Sequence, residues 1–266
     1  MKSKTELLDR YGKNSEERIL LSRALDKLSL AQNHNIPAST SFLSPSEQAA
    51  IADILPHCGH PRHIFWGGHG QAERKVCFFL PDWQDEDGIL DGSDDTLAAI
   101  EATFPTDATL SHRDMLGSLM GLGLTREKLG DLFLDAGTCQ LILLRETLPI
   151  VLSQWTSAGR WTLHLQEIPL SLLHPKPPQV KIIRDTVATL RLDSVLACGF
   201  STSRAKASDL ISAGSVSVNH RECIKSDRLV TQGDVLSCRA LGKCVVKEVL
   251  GQSKKGRMML LLERYI

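Results

Sequence analysis

The sequence has no apolar run long enough to cross a bilayer, and its first residues are charged. Its seven cysteines are odd in number and contain no Cys-x-x-Cys pair, so a disulfide framework is not expected. Aromatic residues make up only 5% of the 266 positions, and the formal net charge is zero. With 42% hydrophobic residues, the chain can still bury a core, in two or three domains. We therefore expect a cytoplasmic protein that does not enter a membrane. We also expect it to be a monomer.

The zero net charge hides an uneven distribution. Residues 181–266 hold fifteen Lys and Arg against eight Asp and Glu, whereas the rest of the chain holds sixteen against twenty-three. A basic module on an acidic body is typical of nucleic-acid binding, because neutralising phosphates supplies most of the sequence-independent affinity. A solvated basic face is the alternative that charge alone leaves open.

The segment from Arg191 to Asn219 predicts two short helices followed by a strand. Apolar residues recur at helical spacing in both, namely Leu192, Val195 and Leu196 in the first helix and Ala207, Leu210 and Ile211 in the second. Gly199 is predicted to end the first helix in a left-handed conformation, and Ser201 to cap the second. Gly214 is predicted to end the second helix before a half-buried strand. Cations flank the buried stripe, where a phosphate chain could run.

These residues resemble a known RNA-binding module. RLD at 191–193, SRAKASDLISAGSVSVN at 203–219 and GD at 233–234 are similar to the alpha-L motif of the module named after ribosomal protein S-four. His220 differs, because such modules usually carry glycine there, so the turn is expected to be longer or strained. The predicted RNA-binding residues are Arg184, Arg191, Ser203, Arg204, Lys206, Asn219, His220, Arg221 and Lys225, together with Arg113 and Arg126 upstream.

Residues 1–81 are predicted to form a helical region with a β-hairpin. Ser44 and Pro45 mark a helix start, and RHIFWGG and ERKVCFFLP bracket a glycine-rich turn. Gly67, Gly68 and Gly70 could cradle a phosphate. No Lys-Ser/Thr pair or helix follows them, so the turn is the favoured interpretation.

Residues 82–173 are predicted to form a βαββαβ domain, which makes the fold class α+β. The strands are expected near 97–104, 131–135, 139–144 and 160–168, and the helices near 112–122 and 148–157. This order closes as a four-stranded antiparallel sheet with two helices on one face, the ferredoxin-like, RRM-like arrangement. The strands carry few aromatics, so the sheet could be a scaffold. Residues 174–179, HPKPPQ, are a predicted linker to an S-four-like domain at 181–266.

Two metal-site hypotheses are weak. Residues 82–107 hold nine acidic residues and no basic one, but they lack the register of a calcium loop, so a solvated loop is favoured. His57, Cys58, His60 and His63 are close together, yet their spacing fits no familiar zinc site. Neither a metal nor a cofactor is predicted.

One catalytic hypothesis rests on specific residues of the middle domain. His112, Arg113 and Asp114 spell the kinase catalytic-loop triplet, but position 119 is leucine and no nucleotide loop with its lysine exists. A capped helix that begins at Ser111 is the favoured interpretation. Two classes of function remain: an RNA-binding factor without chemistry, or an RNA-modifying enzyme, pseudouridine-synthase-like or other, with its site in the middle domain.

The whole chain also resembles one bacterial family. GGHGQAERK at 67–75 and SHRDMLGSLMGLGLTREKLGDLF at 111–133, with the S-four module, are similar to the YlmH family, which is encoded among cell-division genes. The resemblance implies a non-enzymatic factor that binds the large ribosomal subunit carrying peptidyl-tRNA. It implies ribosomal RNA and tRNA as partners, and a role in rescue of stalled translation and nascent-chain quality control.

Overall fold

A computed structural model describes residues 3–266, and the chain divides into two compact units, Met1–Lys176 and Pro177–Ile266. The helices of the first unit are α1 (Lys4–Tyr11), α2 (Ser15–His34), α3 (Pro45–Ile54), α4 (Asp87–Leu90), α5 (His112–Gly121) and α6 (Leu148–Gln154). Its strands are β1 (Ala38–Ser39), β2 (His63–Trp66), β3 (Val76–Phe79), β4 (Leu97–Thr103), β5 (Leu129–Asp135), β6 (Thr138–Leu144), β7 (Ser157–Ala158), β8 (Trp161–Thr162) and β9 (His164–Ile168). None of the described helices combines the length and apolar composition of a membrane span.

The predicted helix start and hairpin near the N-terminus are both confirmed. Ser44 caps α3 by accepting a hydrogen bond from the amide of Glu47, whose carboxylate accepts one from the amide of Ser44. Strands β2 and β3 are antiparallel with Trp66 opposite Val76, so the glycine-rich segment lies in the connection between them.

Strand β3 lies between two hydrophobic cores. It pairs with β1 and β2, and all four of its residues are buried. Cys77 and Phe79 pack with α1 to α3, whereas Val76 and Phe78 pack against residues of β4, β6 and β9. Because both faces of this strand are covered, its sequence, VCFF, is apolar at every position instead of alternating.

The second sheet of the first unit has the order β5, β6, β4, β9, with antiparallel neighbours throughout. One face packs on α5 and α6, and the other packs on β3, Phe42 and the segment that contains Leu173. The second helix and the fourth strand predicted for this domain, near 148–157 and 160–168, are shorter in the structure. Helix α6 ends at Gln154, and only His164–Ile168 joins the sheet, because Ser157–Ala158 and Trp161–Thr162 pair with each other in a separate hairpin.

The second unit is one sheet with two helices. Its strands are β10 (Val180–Val187), β11 (Val216–Val218), β12 (Arg221–Glu222), β13 (Val235–Cys238), β14 (Gly242–Gln252) and β15 (Met258–Tyr265), in the order β10, β15, β14, β13, β11, β12. Its helices are α7 (Leu192–Gly199) and α8 (Arg204–Ser212). The predicted apolar stripes are confirmed, since Val195, Leu196 and Ile211 are fully buried, although Leu210 is only partly buried.

The junction between α7 and α8 differs from the prediction. Helix α7 continues through Gly199, the left-handed residue is Ser201 (φ 52°), and Ser203 caps α8 by accepting from the amide of Lys206. Glycine is needed at 199 for packing rather than for its φ angle, because a Cβ there would lie 2.8 Å from Sγ of Cys244. Gly214 (φ 68°) does follow the second helix in a left-handed conformation, as predicted.

The turn at Asn219 and His220 is not lengthened. Val218 lies opposite Arg221, so the hairpin has a two-residue loop, and both loop residues have positive φ angles, 50° and 63°. The side chain of Asn219 connects this turn to the start of β13: Nδ2 donates to Asp234, and Oδ1 accepts from the amide of Val235. The turn was expected to be either longer or strained. The expectation of a longer turn is wrong, and the strain comes from the left-handed conformation of His220.

A matched pair of alanines in the second unit tests the cost of a left-handed conformation. Ala240 is exposed with φ 67°, so Ala240→Gly should raise the free energy of unfolding by about 0.5 to 1 kcal/mol. Ala205 is exposed in the first turn of α8, so Ala205→Gly should lower the free energy of unfolding, by less than the roughly 1 kcal/mol that glycine costs in a helix interior. Hydrogen exchange of the buried Leu236 and Leu262 amides measures both changes. A loss of stability in both variants would contradict the backbone conformation at Ala240.

Candidate nucleic-acid interface

Two of the predicted arginines meet at one buried carboxylate. Arg191 precedes α7, and Arg204 opens α8. Nε and Nη2 of Arg191 lie 3.3 Å from the Asp193 carboxylate oxygens, and Nε and Nη2 of Arg204 lie 3.0 and 2.9 Å from Oδ2. The Asp193 side chain is 6% exposed, whereas those of Arg191 and Arg204 are 37% and 57% exposed. Arg191 and Arg204, called the arginine pair below, therefore have one edge on Asp193 and the other toward solvent.

The charge of Asp193 is maintained by its neighbours. Burial by itself raises the pKa of this carboxyl group, but the hydrogen bonds donated by Arg191 and Arg204 outweigh that effect. Ser194 adds a hydroxyl donor at 3.2 Å. The pKa of Asp193 thus lies below its usual value, and the group is ionised at neutral pH.

A loop that precedes β13 extends the basic surface beside α7. The amide of Leu192 donates to the carbonyl of Arg228, and the amide of Asp193 donates to that of Ser226. This places the exposed Lys225 and Arg228 next to the start of α7, with Leu229, 68% exposed, paired across from Arg191. Arg228 and Leu229 were absent from the predicted set, because only tertiary hydrogen bonds bring them to this surface.

Two other predicted RNA-binding residues of the second unit make hydrogen bonds within the protein. The hydroxyl of Ser203 caps α8, and both polar atoms of the Asn219 side chain bind within the protein. His220 and Arg221 lie at the β11–β12 turn. Their contact with RNA stays a prediction.

Arg184 lies on a different face from the arginine pair. Ile183 packs into the core beneath the helices, and Asp185 accepts a hydrogen bond from Sγ of Cys198 in α7. Because side chains alternate along a strand, Arg184 extends from the opposite face of the sheet. The structure therefore does not bring it together with Arg191 and Arg204.

Arg113 and Arg126 belong to the first unit. Arg113 is exposed in the first turn of α5, where Ser111 and Asp114 form the expected capping box. Nη1 of Arg126 donates to the carbonyls of Leu129 and Gly130 at 3.2 Å, so part of this guanidinium supports the start of β5. The pKa of nearby His112 is lowered, first by burial and then by the charge of Arg126.

The glycine-rich motif GGHGQAER connects β2 to β3 and is hydrogen-bonded to Asp131 of β5, in the neighbouring sheet. The Asp131 carboxylate accepts from the amides of Glu73 and Arg74 at 2.7 and 3.0 Å, and Nε2 of His69 lies 3.2 Å from it. Burial raises the pKa of Asp131, but these hydrogen bonds outweigh it, and the pKa lies below its usual value. A Cβ at Gly67 would lie 2.2 Å from the carbonyl oxygen of Arg74, so the segment turns too tightly for another residue there. Asp131 already occupies two amides that a phosphate would need.

Two of the three histidines considered for zinc, His57 and His63, have protein partners. Nε2 of His57 contacts the hydroxyl of Tyr11, and Nδ1 of His63 lies 2.7 Å from the carbonyl oxygen of Pro61. Cys58 is buried, which raises the pKa of its thiol. Within residues 3–266, no cluster of His, Cys, Asp and Glu is arranged to hold a metal ion.

Comparisons with known proteins match both parts of the chain. Residues 93–172 match the family described as "Putative RNA-binding domain in YlmH", and residues 190–236 match the S4 domain, the S-four module named above. The chain is 33% identical over 250 residues to a Bacillus subtilis (strain 168) protein named "Ribosome-associated protein quality control protein P2". The match covers 94% of this chain and 95% of that protein. The chain belongs to the YlmH family.

The YlmH assignment confirms the resemblance found in the sequence and the S-four module at the C-terminus. A solved structure described as cell division protein ylmH from Streptococcus pneumoniae is also similar, with 20% identity and a TM-score of 0.49. That similarity covers 59% of this chain and 94% of the other.

Proposed function

We propose that this YlmH-family protein is a non-enzymatic factor that binds ribosomal RNA and tRNA on the large ribosomal subunit carrying peptidyl-tRNA. Its role would be rescue of stalled translation and nascent-chain quality control, in the cytoplasm and as a monomer. The observation that carries the proposal is the arginine pair, held at 2.9 to 3.3 Å from Asp193 at the start of the two S-four helices. Guanidinium groups with free outer edges suit phosphate oxygens. The name of the Bacillus subtilis relative, which describes it as ribosome-associated, supports the ribosomal setting.

We further propose that residues 82–173 form an RRM-like domain between an N-terminal region, 1–81, and the S-four-like domain, 181–266. The strand order β5, β6, β4, β9 with two helices on one face supports the ferredoxin-like arrangement. However, the face that stacks bases in RNA-recognition modules packs here against Phe42, Val76 and Phe78. Any RNA contact of this domain would therefore use its edges or helices, where Arg113 and Arg126 lie.

Co-sedimentation with ribosomal particles tests the function. The full-length protein should pellet with large subunits that carry peptidyl-tRNA, less with empty large subunits, and least with small subunits. Nucleoside mass analysis of the recovered RNA should show no modification that depends on the protein. Equal pelleting with small subunits would contradict the ribosomal assignment, and a new modified nucleoside would favour the enzyme hypothesis instead.

A further inference from the structure

Asp193 lies beneath the surface that the arginine pair presents. Each arginine uses Nε and Nη2 on this carboxylate, which leaves the Nη1 edge of both guanidinium groups for another acceptor. The main chain holds the carboxylate in place, because the amide of Asp193 donates to Ser226 and the amide of Leu192 donates to Arg228. The three groups therefore form one fixed cluster rather than three independent surface charges.

We propose that Asp193 is a positioning residue that holds Arg191 and Arg204 in the orientation that receives an RNA phosphate. This role rests on the proposed function. A long arginine side chain loses rotamer freedom when it binds, and an ion pair that fixes it beforehand removes that loss from the binding step. The buried carboxylate thus favours binding of a polyanion although it carries a negative charge itself.

Simple electrostatics gives the opposite expectation. If Asp193 only neutralised its neighbours, removing its charge would increase the net positive charge of the surface and strengthen RNA binding. The burial of the carboxylate argues against this view, because a phosphate would approach the exposed edges of the guanidinium groups and not the 6% exposed Asp193 side chain. The sign of the change in affinity therefore separates the two views.

The experiment compares two Asp→Asn substitutions in the full-length protein. Fluorescence anisotropy with bulk tRNA and with purified large-subunit ribosomal RNA, at several salt concentrations, gives Kd and the salt slope. Asp193→Asn should raise Kd about ten-fold, roughly the effect of losing one well-placed arginine contact. Asp209→Asn removes an exposed carboxylate from α8 and should leave Kd unchanged or lower it. An Asp193→Asn protein that binds RNA as tightly as the wild type, or more tightly, would overturn the positioning role.

A second pair of variants decides the matter if Asp193→Asn does not fold. Arg191→Lys and Arg204→Lys keep the charge but lose the planar fork, so each should raise Kd several-fold while the salt slope stays the same. Unchanged Kd in both would overturn the proposal. Thermal unfolding measured in parallel identifies a purely structural effect, which would change the Tm and leave Kd alone. A wild-type protein that binds neither RNA would count against the proposed function itself.

Discussion

Arg74→Ala should lower the free energy of unfolding of the first unit by about 3 kcal/mol or more. The Arg74 guanidinium donates to three main-chain carbonyls in two separate segments: Nε to Leu129 at 2.9 Å and Nη2 to Arg126 at 3.1 Å in one, and Nη2 to Phe42 at 3.2 Å in the other. Removing the side chain takes a charged donor away from all three carbonyls, and a hydrogen bond to a charged group contributes about 1.5 to 3 kcal/mol. The carbonyls of Leu129 and Arg126 keep a second donor, from Nη1 of Arg126 and the amide of Leu129, so the predicted loss comes from the charged hydrogen bonds. Arg74→Lys should recover only part of the loss, because one ammonium cannot reach all three carbonyls.

Urea unfolding followed by tryptophan fluorescence measures the effect of Arg74→Ala selectively. All four tryptophans, Trp66, Trp83, Trp155 and Trp161, belong to the first unit, so the signal does not report on the second. Lys75→Ala is the matched control at the adjacent position and should change the free energy by no more than about 0.5 kcal/mol. Similar losses in the two variants would mean that Arg74 does not connect these segments.

Lys206→Ala combined with Lys225→Ala should weaken RNA binding by about ten-fold or more near physiological salt. If both lysines contact phosphates, the magnitude of the salt slope should fall by about 1.4 to 1.8, because each lost contact removes about 0.7 to 0.9. Both side chains are exposed, so their removal should change stability little. The arginine pair is unsuitable for this test, because its removal would leave the buried Asp193 without a cationic partner, so that effects on folding and on binding could not be separated.

The control for the lysine variant removes the same charge elsewhere in the second unit. Lys254 and Lys255 are exposed in the turn between β14 and β15. Lys254→Ala combined with Lys255→Ala should lower affinity much less and leave the salt slope nearly unchanged. Equal changes in both double variants, measured by anisotropy with bulk tRNA, would mean that binding follows the total charge and not the surface around α7 and α8.

Local sequence patterns predicted much of the second unit, because its helices are defined by short-range spacing. The buried stripe of α7 and the left-handed Gly214 follow from neighbouring residues alone. The cap of α8 did not, since Ser201 and Ser203 are equally suitable N-cap residues. In the structure α7 continues through Gly199 and Ser201 takes the left-handed conformation, which leaves Ser203 as the cap. The need for glycine at 199 also lies outside the local pattern, because a Cβ there would clash with Cys244 of a strand distant in sequence.

The sequence predicts the candidate sites only in part, because they also depend on contacts between residues distant in sequence. Arg191 and Arg204 are apparent from the motif, but their shared carboxylate depends on how the two helices pack. Asp131 and the amide of Arg74 are 57 residues apart, and no local pattern connects them. Arg184 lies on the other face of the sheet from the arginine pair, and strand alternation with Ile183 could have indicated this separation.

The double burial of β3 limits how this protein can be divided by recombination. The segment that matches the RNA-binding family begins at residue 93, yet one face of its sheet is closed by Phe42, Val76 and Phe78, which precede it in the chain. A gene rearrangement that moved only this segment would transfer a sheet with an uncovered apolar face. A recombined portion that keeps this sheet covered must therefore include β3. It must also include α1 to α3, because they cover the other face of β3.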